Sequence, residues 1–254
     1  MCLVVIALKV APRYPLLLAA NRDERHARPT QSAAWWPEQP HVFGGRDLLA
    51  GGTWLGVDRR GRIAAVTNVR DGEPLATPRS RGELPAGYLA GGEPAARYAE
   101  RLHAAAAHYA AFNLLLVDGH ELHYSSNRAP TLELGAGVHA LSNAPYGAEW
   151  PKTASAGADM QRLLQHAAPL EPLFDLLAER SGSESAEERY RSGHFVAGPV
   201  YGTRCSTVIL LNAAGTLTFA ERSFDAAGQL VGEVRETFAL DTRAATHPSG
   251  DAGR

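Results

Sequence analysis

A cysteine at position 2 puts a nucleophile and a base within one residue of each other. Cys2 follows Met1 directly and opens the apolar run Leu3-Val4-Val5-Ile6-Ala7-Leu8. Methionine aminopeptidases trim Met1 when the next residue is small, and cysteine qualifies. Trimming would leave a thiol and a free α-amine on one residue, an attacking group with its own proton acceptor. The ordinary α-amine pKa of ~7.7–8.0 allows it to take a proton near neutrality.

The partners such chemistry needs recur along the chain. Asn21-Arg22-Asp23-Glu24 ends the second apolar segment, and the first hairpin should bring it back beside Cys2. A guanidinium there, from Arg22, lowers a thiol pKa, and a carboxylate, Asp23, can hold the amine. Arg22 and Asp23 are adjacent, however, and neighbours on a straight strand face opposite sides. Both reach Cys2 only if the chain turns or bulges; otherwise Glu24 is the amine's partner, or Arg22 points elsewhere. Asn68 and Asn143 each end a predicted strand and could donate a side-chain N–H to a developing oxyanion, although asparagine there also serves as a turn or cap. Arg204 precedes another strand, where it could bind a carboxylate or support the site, or simply lie at the surface. Trp35, Trp36 and Trp54 are candidates for a substrate mouth, with packing beside Pro29, Pro37 and Pro40 as the competing role for the first two. Cys205 leads into an apolar strand and reads as a small buried residue.

Other chemistries lack their patterns. The ten histidines show no HExxH or paired-ligand spacing, so no metal is expected. The glycine pairs at 44–45, 51–52 and 91–92 match neither a Walker A loop nor a dinucleotide fingerprint, and no cofactor is expected. A formal net charge of -2 gives no reason to expect nucleic acid or anionic membrane as a partner. Two cysteines fit a reducing compartment rather than a disulfide framework. There is neither a leader pattern nor an apolar run near the ~20 residues of a membrane helix, so a cytoplasmic location is expected.

The elements that must position these residues follow from hydrophobic period and turn signals. Residues 2–10 and 14–21 read as paired strands and 29–40 as a Pro- and Trp-rich loop. Residues 53–57 and 62–68 read as a second hairpin, and 79–110 as two helices split at Gly91-Gly92. Strands are predicted at 112–117, 121–125 and 137–142, and helices at 152–166 and 170–181. A polar mobile loop is expected at 182–192, then strands at 206–212, 216–222 and 230–238. Hairpins dominate and βαβ alternation is absent, which predicts an α+β fold with antiparallel sheets. Two sheets face to face with helices outside would make a four-layer αββα sandwich. Residues 1–240 are expected to form one domain, followed by a small polar, disordered tail at 241–254.

The string Asn21-Arg22-Asp23-Glu24 after Met-Cys and an apolar hairpin resembles the NRDE family, which includes the transport and Golgi organisation protein 2 homologues. Gly51-Gly52-Thr53-Trp54-Leu55-Gly56, Val66-Thr67-Asn68-Val69-Arg70, Leu141-Ser142-Asn143-Ala144, Trp150-Pro151-Lys152 and Gly202-Thr203-Arg204-Cys205-Ser206-Thr207-Val208 extend the resemblance over most of the chain. That family is similar to the cysteine N-terminal nucleophile hydrolases of the bile salt hydrolase and penicillin V acylase group. The resemblance implies a constellation of Cys2, Arg22, Asp23, Asn68, Asn143 and Arg204, with the early Arg and Asp closer together than in the acylases. It implies an amidohydrolase acting on the C–N bond of a small acyl or linear amide. It equally implies, through eukaryotic members, a non-catalytic carrier of haem or of acyl-CoA and lipid. Neither Cys-Pro nor a His pair strengthens haem ligation.

Overall fold

The computed structural model describes residues 2–70, 79–165, 170–183 and 185–241. In chain order the first strands are β1 (Leu3–Ala11), β2 (Tyr14–Arg25), β3 (Thr30–Trp36), β4 (Gln39–Asp47), β5 (Leu55–Asp58) and β6 (Ile63–Asn68). Two helices follow, α1 (Glu83–Ala90) and α2 (Ala95–Ala105), then β7 (Phe112–Asp118), β8 (Glu121–Ser126), β9 (Leu132–Leu134) and β10 (Gly137–Leu141). Helices α3 (Pro151–Leu164), α4 (Leu170–Ala178) and α5 (Ala186–Ser192) lead to β11 (Tyr201–Leu211), β12 (Thr216–Phe224) and β13 (Leu230–Ala239).

The strands form two antiparallel sheets. One has the order β10-β1-β2-β11-β12-β13 and the other β3-β4-β5-β6-β7-β8-β9. Side chains alternate between faces, and both faces of each sheet are covered, which is why the strands read as continuous apolar runs. In β1, Val4, Ile6 and Leu8 enter the core between the sheets, opposite residues such as Phe43, Val57 and Leu115. Leu3, Val5 and Ala7 turn the other way onto Ala156 and Met160 of α3 and Leu173 and Leu177 of α4. The outer face of the second sheet, including Val42, Ala64 and Leu114, packs on Tyr88 and Leu89 of α1 and Ala99 and Leu102 of α2. The result is the four-layer αββα sandwich expected from the element order. Among the described residues no helix is long and apolar enough to cross a membrane.

Three local expectations need correction. Residues 29–40 are not a loop: most of them belong to β3 and β4, a hairpin carrying Trp35 and Trp36. The short β9 adds a strand outside those predicted, and α5 forms inside 182–192, where the composition predicts a mobile loop. Ser185 caps α5 by accepting from the Glu188 N–H, a local rule that polar composition alone hides. Of the tail predicted to be disordered, residues 242–254 lie outside the described residues.

Candidate active site

Six of the residues singled out for chemistry meet at one cavity. Cys2, Arg22, Asp23, Glu24, Asn68 and Arg204 all line a space of about 670 Å³ between the ends of the two sheets, within the range of ligand pockets. β2 brings three of them. It runs on through Arg25 and stays paired to β1 on one side and β11 on the other. Leu3 pairs with Asn21, so Cys2 lies alongside Arg22. Cys205 pairs with Arg22 from the other side. Arg22 is therefore flanked by both free cysteines. Two strand spacings, about 10 Å, separate these, beyond disulfide reach.

The adjacency of Arg22 and Asp23 is accommodated without turning β2. Ala20 sits in the inter-sheet core and Asn21 on the helix side, where its amide donates to the Leu177 and His194 carbonyls at 2.8 and 2.9 Å. Alternation then sends Arg22 to the inter-sheet side and Asp23 to the helix side. The irregularity lies in the partner strand. Thr203 pairs with Asp23 and Cys205 with Arg22, which leaves Arg204 as the extra residue of a β-bulge. Asp23 Oδ1 accepts from Thr203 Oγ1 at 2.7 Å, and Thr203 Oγ1 in turn accepts from the Val196 N–H at 2.9 Å. Glu24 Oε1 accepts from the Arg25 N–H. Arg204 donates through Nη1 to the carbonyls of Arg25, His26 and Arg28 at 3.0–3.1 Å and through Nη2 to Thr30 Oγ1. It clamps the segment between β2 and β3.

The two asparagines differ. Asn68, at the end of β6, is exposed and faces the cavity. Asn143 is buried and does not line it. Val4 pairs with Leu141, so the same register carried two residues further sets Asn143 beside Cys2, and the Ser142 hydroxyl donates to the Cys2 carbonyl at 2.7 Å. Asn143 Nδ2 donates to the Asn68 carbonyl at 2.6 Å, while its buried Oδ1 has no hydrogen-bond partner among the described residues. Trp54 lines the cavity, but Trp35 and Trp36 do not. Trp35 stacks edge-on against Phe43 and Phe238 in the inter-sheet core, and Trp36 donates its indole N–H to the Gly44 carbonyl.

Burial pushes the Cys2 thiol up; the positive amino terminus pulls it back, the Asp23 charge raises it, and Arg22 lowers it least. Burial also raises Cys205, well above the ordinary range, assisted by Glu221. Glu221 is raised by burial as well, though it accepts the Ala33 N–H across the sandwich at 2.8 Å. Lys152 was quoted above only as part of a motif. It is fully buried in the second position of α3. Burial lowers its pKa, and Asp23 and then Cys2 pull it back up. A signal for it existed in the spacing: Lys152, Ala156 and Met160 form the buried stripe of α3, and a lysine on an apolar stripe marks a buried charge. Among the described residues the nearest metal-like grouping is Asp159, Glu179 and His194. His194 Nδ1 faces the Leu176 carbonyl at 2.7 Å and Nε2 meets Ser155 Oγ at 2.8 Å, so both ring nitrogens are already engaged.

Comparison with known proteins places the family and the fold. The family model of Transport and Golgi organisation 2 matches residues 1–226. The Transport and Golgi organization protein 2 homolog of Bos taurus is 34% identical over 255 residues, covering 86% of this chain and 92% of that protein. The Homo sapiens homolog is 31% identical over 254 residues with the same coverage. In fold, the chain is similar to a Caenorhabditis elegans N-acylethanolamine-hydrolyzing acid amidase ortholog (TM-score 0.53, 10% identity, 82% of this chain and 92% of that one). It is also similar to a mutant conjugated bile acid hydrolase from Clostridium perfringens (TM-score 0.55, 10% identity, 97% and 100%). The chain belongs to the Transport and Golgi organisation 2 family, on the fold of the N-terminal nucleophile hydrolases.

Proposed function

We propose that this member of the Transport and Golgi organisation 2 family is a cysteine amidohydrolase whose nucleophile is Cys2 once Met1 has been removed. The observation that carries the reading is the shared cavity of Cys2, Arg22, Asp23, Glu24, Asn68 and Arg204. The Cys2 sulfur attacks the carbonyl carbon of a small acyl amide and its proton passes to the α-amine. Asn68, exposed at the cavity wall, serves the oxyanion, and Asn143, buried behind it, holds the Asn68 carbonyl and so fixes that strand end. The C–N bond then breaks, and the leaving amine takes the proton from the α-ammonium. Water attacks the resulting thioester, releases the acid and regenerates the thiol. Asp23 holds the amine, Arg22 favours the thiolate, and Arg204 fixes the β2–β3 segment. That Asn143 Oδ1 has no partner among the described residues supports this assignment. A buried acceptor left bare costs about 1–3 kcal/mol, and an α-ammonium on the neighbouring strand would supply its donor.

The test joins intact mass, which reports loss of Met1, with a panel of amides and thioesters on the trimmed protein. Turnover should fall more than about 10³-fold in Cys2→Ala while the thermal melt stays in place. Turnover that persists in Cys2→Ala, or full activity with Met1 retained, overturns the mechanism. Saturable haemin binding that survives Cys2→Ala, with no amide cleaved, would favour the carrier reading instead.

A further inference from the structure

We infer that this cavity receives a substrate carrying a carboxylate or phosphate, and that Arg81 seats that anion. Six arginines line the cavity: Arg22, Arg28, Arg46, Arg79, Arg81 and Arg204. Four are committed elsewhere. Arg28 pairs with Asp47 at 2.6 Å, Arg46 with Glu38, and Arg79 with Glu83 at 2.6 Å, and Arg204 holds the β2–β3 segment. Arg22 lies between the two cysteines. Arg81 remains. Its single side-chain hydrogen bond among the described residues runs from Nη1 to the Ala111 carbonyl at 3.0 Å, and no carboxylate of those residues pairs with it. Glu24 lies within electrostatic reach, but its carboxylate is spent on the Arg25 N–H and stands 4.0 Å from Arg28.

The position is held firmly. Thr53 donates its backbone N–H to the Gly82 carbonyl at 3.1 Å, next to Arg81. Gly52 has φ +76°, and a Cβ there would come within 2.3 Å of the same carbonyl. A partly buried, uncompensated guanidinium is costly, and an incoming anion offsets that cost through charge-assisted hydrogen bonds. Arg81 also lies within electrostatic reach of Cys2, so an anion seated there places the rest of a short ligand near the nucleophile.

The site is inferred from charge and geometry and rests on the hydrolase reading only for the role of Cys2, so its test does not need amide turnover. Cys2 is alkylated with iodoacetate and with iodoacetamide, each rate is read by peptide mass, and the ratio is set against that of free cysteine. Wild type should favour the anionic reagent about tenfold over that reference, the scale of one charge-assisted contact. Inorganic phosphate and acetate, added separately, should slow iodoacetate selectively, and whichever competes better identifies the anion type. Arg81→Met should return the ratio to that of free cysteine, whereas Arg81→Lys should keep part of the preference. A wild-type ratio equal to that of free cysteine overturns the proposal, as does a preference that survives Arg81→Met. If the preference holds but no amide is cleaved, the hydrolase reading falls and the anion seat stands.

Discussion

At the scale of single residues, Arg22 is the side-chain cation that acts on the thiol. Burial drives Cys2 toward its neutral form, the positive amino terminus opposes it most, Asp23 reinforces it, and Arg22 adds a smaller opposing pull. The sign is direct: a guanidinium stabilises the thiolate, so removing it raises the thiol pKa further. In Arg22→Gln the pH midpoint of Cys2 alkylation by neutral iodoacetamide should move upward from an already raised position. The rate at pH 7 should drop modestly, by roughly two- to threefold. A midpoint that stays put or moves down would assign Arg22 to substrate or structure alone. The pairing of Arg22 and Asp23 was the hard part to read in the residue string. Strand alternation puts adjacent residues on opposite faces, and nothing in Asn21-Arg22-Asp23-Glu24 says that both faces are useful. They are, because Cys2, just ahead of β1, lies beside both residues: its register sets it alongside Arg22, and its sulfur stands 3.9 Å from the Asp23 carbonyl.

At the scale of elements, the bulge in β11 joins the site to the fold. One extra residue, Arg204, lets Thr203 meet Asp23 and Cys205 meet Arg22. The bulged side chain then fastens three carbonyls of the β2–β3 segment. Lysine cannot reproduce that fork. Because the side chain is only partly buried, Arg204→Lys should cost about 1 kcal/mol, a fall in Tm of about 2–4 °C, with faster amide exchange at residues 26–28. Unchanged Tm and exchange would mean the clamp is idle. The bulge was not legible beforehand, since it exists only in the pairing of strands some 180 residues apart in sequence. The β3–β4 hairpin was hidden differently. Pro29, Pro37 and Pro40 read as loop punctuation, yet Trp35 and Trp36 anchor opposite faces of that strand, one in each core. By contrast, β1 and the apolar stretches of β2 and β11 were plain, because strands buried on both faces leave long runs of Val, Leu and Ile; their polar ends were not, since β2 runs on to Arg25 and β11 begins at Tyr201, with Arg204 inside it rather than ahead of it.

For the whole molecule, the arrangement of sheets turns the chain's first residues into the centre of a site. β1 is not an edge strand: β10 and β2 hold it on both sides, so Cys2 cannot drift from the cavity that the second sheet closes. A free α-amine at that point is the one component the amidohydrolase needs and the fold cannot supply by itself. A chain carrying a removable peptide ahead of Cys2 separates the two. With the extension attached, the sandwich should form with its Tm within a few degrees of wild type, since β1 begins at Leu3 and keeps all its pairs. Amide turnover should nevertheless be residual, because the base is locked in a peptide bond. Proteolytic release of Cys2 as the first residue should raise turnover by about 10²-fold or more, the range of general-base assistance. Equal turnover before and after release would show that the amine plays no part, and the base would then have to come from a side chain such as Lys152 or Asp23.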